Sequence, residues 1–208
     1  RHRTSAGRVS GSLYWSLNDV WPAVSWSTAD WAGRWKLGHY AARRANAPRC
    51  VLWQRERTDS LVLVAFNDGP EAWRDSVQLE LKTPDGAVRQ SATRGFNVPA
   101  HGSVALGFGP MADWQDDPGH TYLAWQGAGE RATALWSMPI EFHRPPGPVA
   151  ATATASGLEV HAAFYEPVVG LAADVPGHFR ENGFALEAGE RLQVEFEPED
   201  APPTAYTV

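Results

Sequence analysis

Cysteine is almost missing from this sequence. Cys50 is the only one among 208 residues, so no disulfide can form within the chain. A lone cysteine suits a reducing compartment such as the cytoplasm, and nothing else in the sequence assigns one. Cys50 stands in Arg49-Cys50-Val51-Leu52, which reads as the start of a strand, and a small buried hydrophobe is the expected role. Long apolar runs are missing too. No stretch approaches the ~18 residues of a membrane-crossing helix. Arg1-His2-Arg3-Thr4 is basic but lacks the apolar stretch of a signal peptide, which says little because the chain reads as truncated there. Positive charge is in deficit: the formal net charge is −6, which argues against a nucleic-acid partner. The seven histidines are scattered without metal-ligand spacing, and no glycine-rich phosphate loop follows a strand. Neither a cofactor nor a metal is expected. Glutamate is absent until Glu56.

Tryptophan is what the chain has in excess. There are ten, and Trp15, Trp21, Trp26, Trp31 and Trp35 fall between positions 15 and 35. The hydrophobic fraction, 43%, is enough for ordinary globular cores.

Three regions separate by pattern. In the first, residues 1–48, Val9–Leu17 reads as a strand buried on both faces, as in a parallel sheet. A Trp- and Ser-rich loop, Trp21–Gly33, follows. Arg34–Ala45 reads as a helix with Arg43-Arg44 near its C-terminal dipole, stopped by Asn46-Ala47-Pro48. A parallel strand needs neighbours on both sides. Region one therefore reads as the last unit of a parallel α/β structure whose remainder lies elsewhere.

The second region, residues 49–144, carries short strands at regular spacing: Leu61–Asn67, Ser76–Lys82, Ala87–Thr93, Ser103–Phe108, Thr121–Gln126 and Ala132–Met138. Turn signals between them, such as Pro84-Asp85-Gly86, predict an antiparallel sandwich. Pro145-Pro146-Gly147-Pro148 opens the third region, residues 145–208. There Ala150–Thr154, Leu158–Phe164, Val168–Ala173 and Leu192–Phe196 predict a second, smaller sandwich, with Glu197–Pro203 a partly ordered tail. Gly129-Glu130-Arg131 and Gly189-Glu190-Arg191 each read as a hairpin turn.

Gly11-Ser12-Leu13-Tyr14-Trp15-Ser16-Leu17-Asn18-Asp19-Val20-Trp21-Pro22, with Ser25-Trp26-Ser27 and Trp35-Lys36-Leu37-Gly38-His39-Tyr40, resembles the end of the catalytic barrel in β-mannosidases of glycoside hydrolase family two. Gly177-His178-Phe179-Arg180-Glu181-Asn182-Gly183-Phe184-Ala185-Leu186-Glu187-Ala188-Gly189-Glu190 is similar to their closing domain, whose pattern is roughly DNxFDLxPGE. Glu181, Ala185 and Ala188 depart from that pattern. The resemblance implies a mainly β chain: the last strand–helix unit of a (β/α)8 TIM barrel, then two immunoglobulin-like β-sandwich domains. Leu13–Leu17 would be the eighth strand and Arg34–Ala45 the eighth helix, with active sites at the C-terminal strand ends.

The implied activity is exo-hydrolysis of terminal non-reducing β-D-mannose with retention, and the implied partners are a β-mannoside and the rest of the barrel. By resemblance Trp15 is the apolar floor of the sugar subsite, an indole face meeting the C–H face of a pyranose. Asn18 and Asp19 read either as hydrogen-bonding groups at the cleft rim or as side chains capping a strand-ending turn. Trp21 and Trp26 would wall the cleft, Trp31 and Trp35 would pack, and His39 and Tyr40 would pack against the second region.

Retaining hydrolysis needs two carboxylates about 5–5.5 Å apart. In the family both are glutamates on earlier strands, the acid/base following an Asn. No Asn-Glu dipeptide occurs here, so this chain holds no catalytic residue and is expected to be inactive alone. Alternatives are a related exo-β-glucosaminidase or β-galactosidase, and a carbohydrate-binding module using Trp53, Trp73, Trp114, Trp125 and Trp136. Purely structural β-domains are the expected role for the second and third regions. Outside its barrel, region one would expose a large apolar surface, and the isolated chain is expected to aggregate or to leave region one disordered.

Overall fold

The structure, a computed structural model, describes residues 11–57, 60–107 and 117–208. They are mainly β, with one α-helix. The chain divides into two compact units. One holds residues 45–145, and the other joins residues 13–44 to residues 146–208.

The first unit is a sandwich of two sheets. Strands β1 (Arg49–Arg57), β2 (Ser60–Asn67) and β5 (Gly102–Ala105) form one, in the order β1-β2-β5. Strands β3 (Trp73–Lys82), β4 (Val88–Val98), β6 (Tyr122–Gly127) and β7 (Glu130–Leu135) form the other, in the order β4-β3-β6-β7, antiparallel throughout. The alternation in β3 places Val77, Leu79 and Leu81 in the core, where Leu79 lies opposite Trp125 and Leu81 opposite Leu123. Burying each such side chain stabilises the fold by roughly 1.5–3 kcal/mol. The continuous apolar run of β2 has its own cause. Leu61, Leu63 and Ala65 face the sandwich core, while Val64 and Phe66 join Cys50 in a second cluster on the opposite face.

Buried Asn67 ends β2. Its side-chain amide donates to the carbonyls of Glu71 and Pro99, and its oxygen accepts the Gly69 N–H at 3.1 Å. Gly129 closes the β6–β7 hairpin. Ala128 and Gly129 have φ of 54° and 78°, the left-handed pair of a type I′ turn.

The second unit carries another sandwich. Its larger sheet holds β8 (Val149–Thr154), β9 (Gly157–Ala162), β12 (Gly177–Phe179) and β14 (Arg191–Pro198) in the order β12-β14-β9-β8. Against it lie two ladders: β10 (Glu166–Val169) with β13 (Phe184–Leu186), and β11 (Ala172–Ala173) with β15 (Tyr206–Thr207). Leu158, Val160, Val194, Phe196, Phe179 and Leu186 fill the core. Buried Asn182 substitutes for a strand partner. Its side-chain amide donates to the Leu171 carbonyl at 2.8 Å, and its oxygen accepts the Leu171 N–H at 2.8 Å.

Several expectations change. Residues 11–17 of the expected barrel strand form no strand; Val9 and Ser10 lie outside the described residues. No (β/α)8 barrel is present among the described residues. A parallel strand requires partners along both edges, and here the segment finds only one single-residue parallel bridge, Asn18 to Ala29. The helix, α1, is Leu37–Ala45 rather than Arg34–Ala45. Arg34 is held in a turn instead, where the Asp30 carboxylate accepts from its N–H and its guanidinium.

Gly189-Glu190-Arg191 does not close a hairpin, because β13 and β14 belong to different sheets and the turn carries the chain across. The acidic tail is anchored at both ends. β14 runs to Pro198, and β15 returns after Thr204, whose N–H donates to Asp174 at 3.0 Å.

Candidate functional site

The segment from Leu13 to Lys36 is built around a short polar spine. Ala29 bridges Asn18 on one side and Trp35 on the other. Its N–H donates to the Leu17 carbonyl at 2.8 Å, and its carbonyl accepts the Asp19 N–H at 3.1 Å. The Thr28 hydroxyl donates to the Leu17 carbonyl at 3.0 Å, and the Lys36 N–H donates to the Thr28 carbonyl at 2.9 Å. Asp19, Ser27 and Thr28 are buried. The Trp15–Ser16 peptide is cis.

Asp19 is the centre of the network. One carboxylate oxygen accepts from the Lys36 ammonium at 2.8 Å, and the other accepts from the Ser25 hydroxyl. Lys36 also donates to the Ser27 hydroxyl at 2.7 Å, and that hydroxyl donates to the Ala29 carbonyl at 2.8 Å. The Lys36 and Ser25 hydrogen bonds hold the Asp19 pKa at about 2 against the opposing effect of burial. Asp19 is therefore ionised, with each carboxylate oxygen hydrogen-bonded inside the segment. Asn18 is exposed, and its side-chain amide donates to the neighbouring Asp19 carbonyl at 3.1 Å.

The tryptophans point the other way. Trp15 is 81% exposed, Trp21 70% and Trp26 78%. Leu13, Val20 and Val24 are still more exposed. The segment buries hydroxyls and a carboxylate and presents indoles. Trp31 is also exposed, against the expected packing role. Trp35 does pack. Its ring stacks on His178 with centroids 4.1 Å apart, and meets His39 at 4.5 Å. Burial, then the charges of Arg43 and His178, lower the His39 pKa.

Helix α1 fastens this segment to the third region, not to the second as expected. The buried Tyr40 hydroxyl donates to the Phe179 carbonyl at 2.9 Å. Arg43 donates to the Arg180 carbonyl and to Glu181, each at 2.7 Å. Arg44 reaches Glu181 and the carbonyls of Asn182 and Gly183. Gly183 has φ of 61°, and a Cβ there would come 3.3 Å from Leu37 Cδ2. The Glu181–Asn182–Gly183 triplet thus receives both the end and the flank of α1.

The sequence does not single out Lys36, Ser25 and Ser27 as the residues that hydrogen-bond around Asp19. The one signal available was that each lies in a stretch carrying the family resemblance. Of the sandwich tryptophans, Trp125 and Trp136 are buried and Trp53 and Trp73 pack half-buried against the core, which leaves them no sugar platform. Trp114 lies outside the described residues. Among the described residues no cluster of three or more histidine, cysteine or acidic side chains could hold a metal ion.

Comparison with known proteins places these features. A family model named Ig_mannosidase, an Ig-fold domain, matches residues 146–207. The chain is 33% identical to a β-mannosidase of Capra hircus over 109 residues, which are 51% of this chain and 12% of that protein. It is 42% identical to a probable β-mannosidase of Caenorhabditis elegans over 105 residues, 48% of this chain and 12% of the relative. The matches thus span about an eighth of the length of these relatives. In fold, the chain matches the crystal structure of a β-D-mannosidase from Dictyoglomus thermophilum with a TM-score of 0.73 and 20% identity, over 95% of this chain and 25% of that one. An exo-chitosanase of Amycolatopsis orientalis matches with a TM-score of 0.64 and 15% identity, over 93% of this chain and 29% of the other.

Proposed function

We propose, from the premise that this chain corresponds to the C-terminal region of family-two β-mannosidases, that it forms the closing portion of an exo-β-mannosidase. The whole enzyme would remove terminal non-reducing β-D-mannose residues with retention. In this reading residues 1–48 contribute the final unit of the catalytic barrel, and residues 49–144 and 145–208 are accessory immunoglobulin-like domains. Trp15, Trp21 and Trp26 supply an aromatic wall of the sugar pocket, with Asn18 at its rim.

One observation carries this reading: the three indoles are outward on a segment whose polar groups are satisfied internally. A solvent-facing indole is matched to the C–H face of a pyranose, and each such contact needs no further polar partner from the segment. The same segment supplies no acid chemistry. Its two acids between residues 11 and 44 are Asp19, engaged by Lys36 and Ser25, and Asp30, engaged by Arg34. The glutamate pair of retaining hydrolysis is assigned to the remainder of the enzyme.

The test is kinetic. In the full-length enzyme acting on p-nitrophenyl β-mannoside, Trp15→Ala should raise KM and lower kcat/KM by at least about tenfold, roughly 1.4 kcal/mol of lost transition-state binding. The 208-residue chain alone should give no turnover above a mock preparation. A full-length enzyme that ignores β-mannoside, or a Trp15→Ala variant with unchanged kinetics, overturns the assignment.

A further inference from the structure

Residues 19–27 form neither helix nor strand, yet they carry Trp21 and Trp26. Fixing an irregular backbone costs about 1–2 kcal/mol per residue in entropy. The exposed indoles themselves do not hold it. The Lys36 ammonium does: it donates both to Asp19 at 2.8 Å and to Ser27 at 2.7 Å, at the two ends of the loop. Ser25 completes the ring, donating to Asp19 and accepting the Ser27 N–H at 3.0 Å. Asp19 and Ser27 are buried, Lys36 is half-buried and Ser25 is exposed; a polar network with a buried centre fixes one geometry when its members are satisfied.

Lys36 is itself immobilised. Its N–H is bonded to the Thr28 carbonyl, and the preceding Trp35 is stacked on His178 of β12. The helix that follows it is bonded to Phe179 through Tyr40 and to Glu181 through Arg43 and Arg44. A continuous line of contacts therefore runs from the Gly177–Gly183 stretch of the closing domain, through Trp35 and α1, to Lys36, and on to the loop.

We propose that Lys36 is a positioning residue for sugar binding: it sets the loop that carries Trp21 and Trp26, with Asp19 as its relay instead of a ligand contact. The proposal rests on the reading of Trp15, Trp21 and Trp26 as sugar-facing. Binding groups must be held within about 0.5 Å of their working geometry, and a displacement of about 1 Å can cost on the order of a hundredfold in rate.

The experiment compares full-length enzymes on p-nitrophenyl β-mannoside, with thermal melting in parallel. Lys36→Met should raise KM about tenfold or more while kcat falls less, and Lys36→Arg, which keeps the charge and several donors, should recover most of the loss. Asp19→Asn should reproduce Lys36→Met, and the double variant should be no worse than either single, because the two act as one unit. Should Lys36→Met prove insoluble, Asp19→Asn, which preserves shape and the Ser25 contact, is read in its place. Additive losses in the double variant would make Asp19 a ligand contact and overturn the proposal. So would a Lys36→Met enzyme with wild-type KM, or one whose kcat alone falls with its melting temperature. In each of those cases a raised KM in Trp15→Ala leaves the sugar-facing reading standing. An unchanged KM in Trp15→Ala removes that reading and the proposal with it.

Discussion

Trp125 is 2% exposed and Trp136 6%, whereas Trp15, Trp21 and Trp26 are 81%, 70% and 78% exposed. The same residue type meets opposite fates within one chain. Trp125 sits on β6, paired by β3 on one side and β7 on the other. Neighbours on both edges satisfy the backbone, so the ring can be withdrawn from water, and its burial offsets the cost of an indole N–H left without a hydrogen-bond partner. Residues 13–36 have only bridges, and their interior is filled by Asp19, Ser27, Thr28 and the small Ala29. The segment is inverted relative to the sandwich, with polar groups inside and apolar ones outside. A surface of that kind is suited to meeting another surface or a ligand.

The comparison breaks first at Trp125. Trp125→Ala should destabilise the sandwich by about 3–5 kcal/mol through lost transfer energy and an unfilled cavity, read as a lower urea midpoint. An unchanged midpoint would mean that the buried tryptophans are as dispensable as the exposed ones. Tyr40→Phe comes next. It strips the buried Phe179 carbonyl of its donor and should cost about 1 kcal/mol in the same measurement.

Acid sharpens the polar side of the contrast. The Asp19 pKa is depressed to about 2, below the ordinary value of about 3.9. A depressed carboxylate contributes stability that is present above its unfolded pKa and is lost as pH falls through the folded one. The difference in midpoint between the native chain and Asp19→Asn should therefore shrink as pH falls from about 4 to about 2. A constant difference across that window would remove the charge from the explanation. Trp21→Phe should do least to stability, within about 0.5 kcal/mol, while removing a disproportionate share of acrylamide-quenchable fluorescence. A large stability loss there would mean that Trp21 is core after all.

Legibility in the sequence followed the same divide. The alternation of Val77, Leu79 and Leu81 and the apolar run of β2 announce themselves, because cross-strand pairing enforces period two and two-sided burial enforces continuity. The Ala128-Gly129 turn is read from its glycine. Strands β12 and β13 are three residues each, too short for any period, and their placement depends on Asn182 bonding across to Leu171. Val9–Leu17 has strand-like composition, but local composition does not supply partner strands. For the candidate site, Trp15, Trp21 and Trp26 are conspicuous by number. Asp19 reads from the sequence either as a rim group or as a cap on a strand-ending turn. Its ion-pair partner, Lys36, is 17 positions away, and nothing in a charge count links the two.

The compact unit that joins residues 13–44 to residues 146–208 is interrupted by a whole sandwich. During synthesis this interruption becomes a delay. Tyr40 and its acceptor Phe179 are 139 positions apart. At about 5–20 residues per second, the acceptor emerges roughly 7–28 s after the tyrosine. Residues 45–145 have everything needed to form their own core in that interval. The tryptophan segment does not, because the surface that receives α1 has not yet been made. Until then Tyr40, Arg43 and Arg44 lack the acceptors that hold α1, and with it the segment, in the folded chain.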